Sequence, residues 1–291
     1  MKKTFVAVLL AIVFQQAHAC DICGGVNHLN PYMFPHLSKS YISLAYLRSL
    51  YYSTEDGTNS KITANTFLFS GQYTLNNKLQ FTAFVPYHSN ESEAGVSKTN
   101  LKGLGDITVL ANYNVFNVQA AAFRHAVSLG VGVKLATGEY NTESLSSANE
   151  EALKLGSGSV DYLLNGAYRV SVGNFTASAV GSYKYTTANN EGYRYGDVLT
   201  TGLSAVYIIN QKDISLTPYV QVMNEKHYRD ADNHILDGDS GGSILYAGGG
   251  LDVSTSRLTI GANYQAAARQ NLLQGELTAK PKFSARISFT L

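Results

Sequence analysis

The 291-residue chain has no tryptophan, only five prolines and two cysteines, and only 15% of its residues are charged. Both cysteines, Cys20 and Cys23, lie near the start, so no disulfide framework can hold the main body together. A membrane-spanning helix takes roughly 20 apolar residues, and the longest apolar run, Phe5 to Phe14, falls well short of that. Helical membrane proteins are thereby excluded. The formal net charge of +1 gives no electrostatic footprint for nucleic acid or a strongly acidic partner. What the chain does have is 26 glycines and 20 tyrosines. That profile suits a barrel in which half of each strand faces lipid and aromatic rings settle at the two membrane interfaces. A large secreted β-sandwich shares part of this composition.

Lys2 and Lys3, the apolar run and Ala17-His18-Ala19 form the basic, apolar and cleavage parts of a secretory signal peptide over residues 1–19. Residues 20–38 then form an N-terminal periplasmic or lumen segment, and 39–291 the body.

The body alternates with period two. In the last twelve residues Phe283, Ala285, Ile287, Phe289 and Leu291 share one face, and Ser284, Arg286, Ser288 and Thr290 the other. Such a row would be an aggregation hazard in water, whereas in a bilayer it meets lipid. Alternation and turn signals predict twelve strands, at about 39–52, 61–74, 78–88, 104–117, 124–137, 158–170, 174–186, 195–209, 213–226, 242–254, 257–268 and 280–291. Links at one end are short, as at Asn76-Asn77 and Thr255-Ser256, and those at the other end are mostly long, as at 89–103, 138–157 and 227–241. An even strand count with this asymmetry predicts an all-β, antiparallel up-and-down transmembrane β-barrel with its short turns in the periplasm.

Leu79, Phe81, Ala83, Val85 and Tyr87 are expected to face lipid, as are Ile107, Val109, Ala111, Tyr113 and Val115, and Val127, Leu129, Val131, Val133 and Leu135. The opposite parity predicts a lumen set of Asp106, Asn112, Asn114, Lys134, Asp161, Asn165, Arg169, Lys184, Asp197, Gln221, Asp252, Asn263, Gln265 and Arg286. These mixed charges imply either a hydrated lumen or an internal network that stiffens the barrel. Twelve strands fall between a filled eight-strand interior and an open channel of about 16 strands, so the lumen should be narrow.

Three runs are specific enough to name a family: GLGDITVLANYNV from Gly103, SLGVGVKLATGEY from Ser128 and LGSGSVDYLLNGAYRV from Leu155. Together with YRYGDVLTTGLSAVYII from Tyr193, they resemble the bacterial outer-membrane transporters of the phenol meta-pathway type. Ala136 departs from the Pro-Thr-Gly often found there. The resemblance implies an outer-membrane barrel of a Gram-negative bacterium that moves small, often apolar or aromatic compounds, with membrane lipid and a solute as its partners. Nothing in the lumen set selects a particular solute, and the tyrosines are explained by the interfaces. The recurring pairing of Gly with Asp at the extracellular rim reads as architecture.

The mature start, Cys20-Asp21-Ile22-Cys23-Gly24, resembles the opening of some Bacteroidota barrel proteins. Cys20, Cys23, His28 and His36 could hold Cu(I) or Zn²⁺. Alternatively the cysteines form a Cys20–Cys23 disulfide, Cys20 carries a lipid, or the histidines are solvated; otherwise no cofactor is expected.

A hydrolase needs a nucleophile within reach of a histidine. His88, His227 and His234 are expected near extracellular loops, close to Ser89, Ser240, Asp230, Asp232, Asp237 and Asp239, while His125 lies at the opposite end and no Gly-x-Ser-x-Gly elbow occurs. The same four aspartates could bind Ca²⁺, although their spacing does not complete a calcium loop. The expected function is a passive, non-enzymatic channel for small solutes. A loop-displaying barrel without transport and a barrel hydrolase are the alternatives.

Overall fold

A computed structural model describes residues 39–55, 58–76, 78–120, 123–140 and 153–291. The expected signal peptide, Cys20, Cys23, His28 and His36 lie outside the described residues. Twelve antiparallel strands follow in chain order: β1 Tyr41–Glu55, β2 Thr58–Leu75, β3 Leu79–Ala94, β4 in two pieces at Ser97–Leu104 and Thr108–Ala120, β5 Phe123–Lys134 and β6 Asp161–Val172. Then come β7 Phe175–Tyr185, β8 Val198–Tyr207 continued by Ile209–Gln211, β9 Ile214–His227, β10 Gly242–Ser254, β11 Leu258–Leu272, and β12 in two pieces at Leu277–Ala279 and Lys282–Thr290.

Each strand pairs with its sequence neighbours, and β12 returns to β1 in register from Tyr41 opposite Thr290 to Arg48 opposite Phe283. This closure removes both sheet edges, so the strands can cross hydrocarbon with their backbone groups paired. Ser288 Oγ donates to Ser43 Oγ at 2.7 Å and Leu291 N donates to Ser40 O at 3.0 Å along the same seam.

Burial alternates as the sequence predicts. On β3, Gln80, Thr82, Phe84 and His88 are buried while Phe81 and Tyr87 are exposed. The outward face carries Phe69, Leu129, Val131, Leu164, Leu203 and Val220, each more than half exposed. Keeping one such side chain in water costs about 1.5–3 kcal/mol, so a belt of them belongs in lipid.

The strands outrun the sequence expectation on the side of the longer links. The link predicted at 53–60 shrinks to a tight connection between Glu55 and Thr58, and that predicted at 89–103 is a hairpin pairing Tyr87–Ala94 with Ser97–Leu104. Hydrophobic alternation stops where lipid stops, but backbone pairing continues into water, so polar sequence hides these extensions. Near the hairpin tip Lys98 pairs with Glu91 at 2.8 Å, and Lys61 of β2 pairs with Glu93 at 3.0 Å.

β4 breaks where its neighbour holds Pro86. Proline offers no N–H to the ladder, and three residues, Gly105 to Ile107, lie between ladder positions that span only Val85 and Pro86 on β3. Only glycine fits at 105, because a Cβ there would stand 2.4 Å from His88 Nε2. The resulting bulge turns Asp106 inward. Asp106 accepts from Gly138 N and Ser157 N, both at 2.9 Å, and from Ser157 Oγ at 2.7 Å. Lys134 lies between two carboxylates, 3.1 Å from Asp106 and 2.7 Å from Asp161. Ser159 Oγ and Thr187 N donate to the other oxygen of Asp161. Gly138 and Gly156 cross so closely that a Cβ on either would lie 2.7 Å from the other's backbone. Two Gly-Asp motifs, around Asp106 and Asp161, and Lys134 and Gly138 from β5 therefore build one knot that pins the link between β5 and β6.

Lys134→Met leaves two buried carboxylates uncompensated and is expected to cost about 3–5 kcal/mol, read as an earlier transition in heat-modifiability gels. Adding Asp106→Asn and Asp161→Asn should restore part of the loss; an unchanged transition in the single variant would refute the knot. The Lys61 hydrogen bond holds the Glu93 carboxyl below its ordinary range, and the Glu91 hydrogen bond raises Lys98. A depressed carboxyl contributes above its unfolded pKa and is lost as pH falls through the folded value. Proteolysis at the Gly95 turn should therefore quicken below the ordinary carboxylate range but not between neutral and mildly acidic pH.

Candidate functional site

The inner wall is striped. Strands in a barrel tilt against its axis, so residues paired straight across the ladder form rows that climb diagonally. One row runs Arg169, Ser178, Ser204, Gln221, Gly248, Gln265 and Lys282, each opposite the next from β6 to β12. A second runs Gln80, Asn112, Gly130, Asn165, Ser182, Thr200 and Glu225, from β3 to β9. Between them lies an apolar row of Ala167, Val180, Gly202, Met223 and Tyr246. All three rise from lower or middle height on β3–β6 to the extracellular end of β9–β12.

Most members are buried, Met223 fully and Tyr246, Asn112 and Glu225 nearly so. The side chains shield one another, which makes the lumen narrow. Five of the polar side chains nonetheless carry a buried atom without a hydrogen-bond partner among the described residues: Asn112 Oδ1, Asn165 Nδ2, Ser178 Oγ, Ser204 Oγ and Gln221 Oε1. A buried polar atom left unpaired costs about 1–3 kcal/mol, so these rows call for water or the polar part of a solute.

Charges inside the barrel come as pairs. Arg286 Nη2 lies 2.6 Å from Asp252 Oδ2, Asp252 being fully buried. Near the mouth Lys282 sits 3.7 Å from Glu225 and 3.5 Å above the Tyr246 ring centroid, with His227 Nε2 3.8 Å from Glu225. The opposite wall is apolar at mid-height, where Ala45, Leu68, Phe84, Leu110 and Leu163 cluster.

Of the predicted lumen set, Asn112, Asn165, Arg169, Gln221 and Gln265 fall on the two polar rows. Asp106, Lys134 and Asp161 form the knot, and Asp252 and Arg286 the ion pair. Asn114 accepts from Ser128 Oγ at 2.5 Å, and Asn263 Nδ2 donates to Gly249 O at 3.2 Å. Lys184 is buried and faces Val198, across which stands His227. Asp197 is a correction. It precedes β8 and lies off the inward parity of Val198 and Thr200, accepting from Tyr183 Oη at 2.6 Å, Thr186 N at 2.9 Å and Arg194 Nη2 at 2.7 Å. Odd positions of this stretch, such as Leu203 and Tyr207, face outward, so Asp197 was assigned the wrong parity. Glu225, Lys282 and Met223 were missed, although their parity with Gln221 and Arg286 could have found them.

The four histidines lie at separate places. His88 Nδ1 bonds Thr66 Oγ1 at 2.9 Å, His227 faces Glu225, His234 occupies a left-handed turn at φ 71°, and His125 Nδ1 bonds Tyr168 Oη at 2.7 Å. Among the four loop aspartates, Asp230 accepts from Gly196 N at 2.6 Å and Tyr193 Oη at 2.7 Å. Asp237 accepts from Asp239 N, Asp239 from Gln274 Nε2 and Asp232 from Asn233 Nδ2. These contacts fix loop backbone and rim side chains, and the described residues contain no cluster of three metal-ligating side chains.

Among solved structures, an outer-membrane channel from Pseudomonas putida F1 shares the fold with a TM-score of 0.68 at 14% identity, over 87% of this chain and 96% of that one. The β domain of the Bordetella autotransporter BrkA matches with a TM-score of 0.53 at 11% identity, over 87% of this chain and all of that one. No functionally curated protein matches the sequence. The profile of a family described as "Putative MetA-pathway of phenol degradation" matches residues 51–277 and covers the knot and the three rows up to Gln265, leaving only Lys282 beyond it. The chain is an outer-membrane β-barrel, and it belongs to that family.

Proposed function

We propose that the barrel is a passive channel for small amphiphilic solutes. The observation that carries this reading is the striped wall: two polar rows with buried unpaired atoms flank one continuous apolar row. A barrel stiffened only by its interior would gain more from pairing those atoms or replacing them with apolar side chains. A solute with an apolar body and a polar edge can satisfy both kinds of row along the climb. The P. putida structure of similar fold is itself named a channel, which agrees with this reading.

Purified full-length protein should give discrete conductance steps in planar bilayers. Liposomes carrying it should swell faster in small neutral solutes than liposomes without it. Protein that inserts and neither conducts nor speeds swelling would instead be a display barrel. Gln221→Leu combined with Ser204→Val makes part of a polar row apolar. It should leave the gel-shift transition in place while lowering conductance several-fold. Equal conductance would remove the polar rows from the pathway.

A further inference from the structure

All three rows end at one apolar patch under the extracellular mouth. It is formed by Tyr51, Ile62, Ile244, Tyr246, Leu272 and Leu277, on β1, β2 and β10–β12. Tyr246 ends the apolar row, Lys282 at the end of one polar row lies over its ring, and Glu225 at the end of the other faces Lys282. The patch thus has an apolar floor and a polar border.

Its centre is filled by Leu153, which is completely buried there but belongs to none of these strands. Leu153 comes from the link between β5 and β6, on the far side of the barrel. Its segment is tied at that side, where Ser157 bonds Asp106 and Ser159 bonds Asp161. Asn90 Nδ2 also donates to Leu153 O at 3.3 Å. Residues 153–159 therefore span the mouth, with a hydrogen-bonded anchor at one wall and a single isobutyl group docked on the other. The anchored end is held by directional bonds and buried charge, whereas the docked end is held by apolar contact and one backbone-accepted hydrogen bond. An apolar ligand competes for the second kind of contact and not for the first.

We propose that this patch is the entrance subsite for small amphiphiles bearing an apolar group about the size of leucine's, and that Leu153 is the resident occupant such a solute displaces. The proposal rests on the channel reading, since it assigns where a permeating solute first docks. The Glu225–Lys282 border receives the polar end, and the apolar row below Tyr246 continues the path.

The test uses the full chain carrying Cys20→Ser, Cys23→Ser and Leu153→Cys in phosphatidylcholine liposomes, with a membrane-impermeant maleimide as reporter. The probe is 3-methyl-1-butanol, which carries leucine's own isobutyl group, and glycerol is the control. The thiol at position 153 should label slowly at rest and on the order of tenfold faster with the alcohol. Glycerol should leave the rate unchanged, and so should either solute at a Ser97→Cys thiol on the exposed hairpin. Fast labelling at rest, or a rate that the alcohol does not move, overturns the proposal.

A second variant guards against the cysteine loosening the dock by itself. The chain has no tryptophan, so Leu153→Trp provides a single emitter whose emission should shift to the red as the alcohol drives it out of the patch. Emission unmoved by the alcohol counts against the subsite. Conductance of the same preparations separates the two readings. A conducting barrel whose position 153 ignores the alcohol loses the subsite and remains a channel. A silent barrel whose position 153 responds keeps the subsite and loses the transport role.

Discussion

Backbone pairing across the β12–β1 seam is the constraint on which the rest depends. Hydrocarbon offers no substitute hydrogen bonds, so an open edge would leave unsatisfied groups worth several kcal/mol each. Closure fixes the strand tilt, and tilt converts pairing straight across the ladder into rows that climb the wall. The striped lumen is therefore a consequence of closing this sequence into a cylinder.

Two kinds of interaction then divide the interior. Charges are held in pairs, Asp252 with Arg286 and Lys134 between Asp106 and Asp161, where each carboxylate also gains hydrogen bonds or a close cation. Such pairs fix geometry more than they stabilise. Five neutral polar side chains of the two rows, Asn112, Asn165, Ser178, Ser204 and Gln221, each keep a buried atom unpaired among the described residues, and those are the groups available to a passing molecule. Position in the barrel follows the same division. The knot sits where the β5–β6 link must be tied down, and the unpaired amides and hydroxyls sit along the climb.

Much of this was legible in the sequence. Period-two alternation gives the twelve strands and their lipid faces, because the hydrophobic effect acts on each residue by its parity alone. The short turns at Asn76 and Thr255 mark one end of the barrel for a similar reason, since turn chemistry is local. Strand ends were less legible. At 53–60 and 89–103 the ladder continues through polar sequence in water, where nothing requires alternation. Asp197 shows a different error: it shares the outward parity of Leu203 and Tyr207, and Tyr183 and Arg194 hold it just ahead of the strand.

The sequence by itself determined the fold class, the outward belt and the inward parity of residues such as Gln221 and Arg286, because each depends on neighbours one or two positions away. Only the tertiary structure decided that Asp106, Lys134 and Asp161 meet, that Ser178, Ser204 and Gln221 form one row, and that Leu153 docks on the far wall. Those contacts join residues from different strands or from opposite sides of the cylinder. Their partners are set by register, tilt and closure, and none of these is written in the spacing of any single strand.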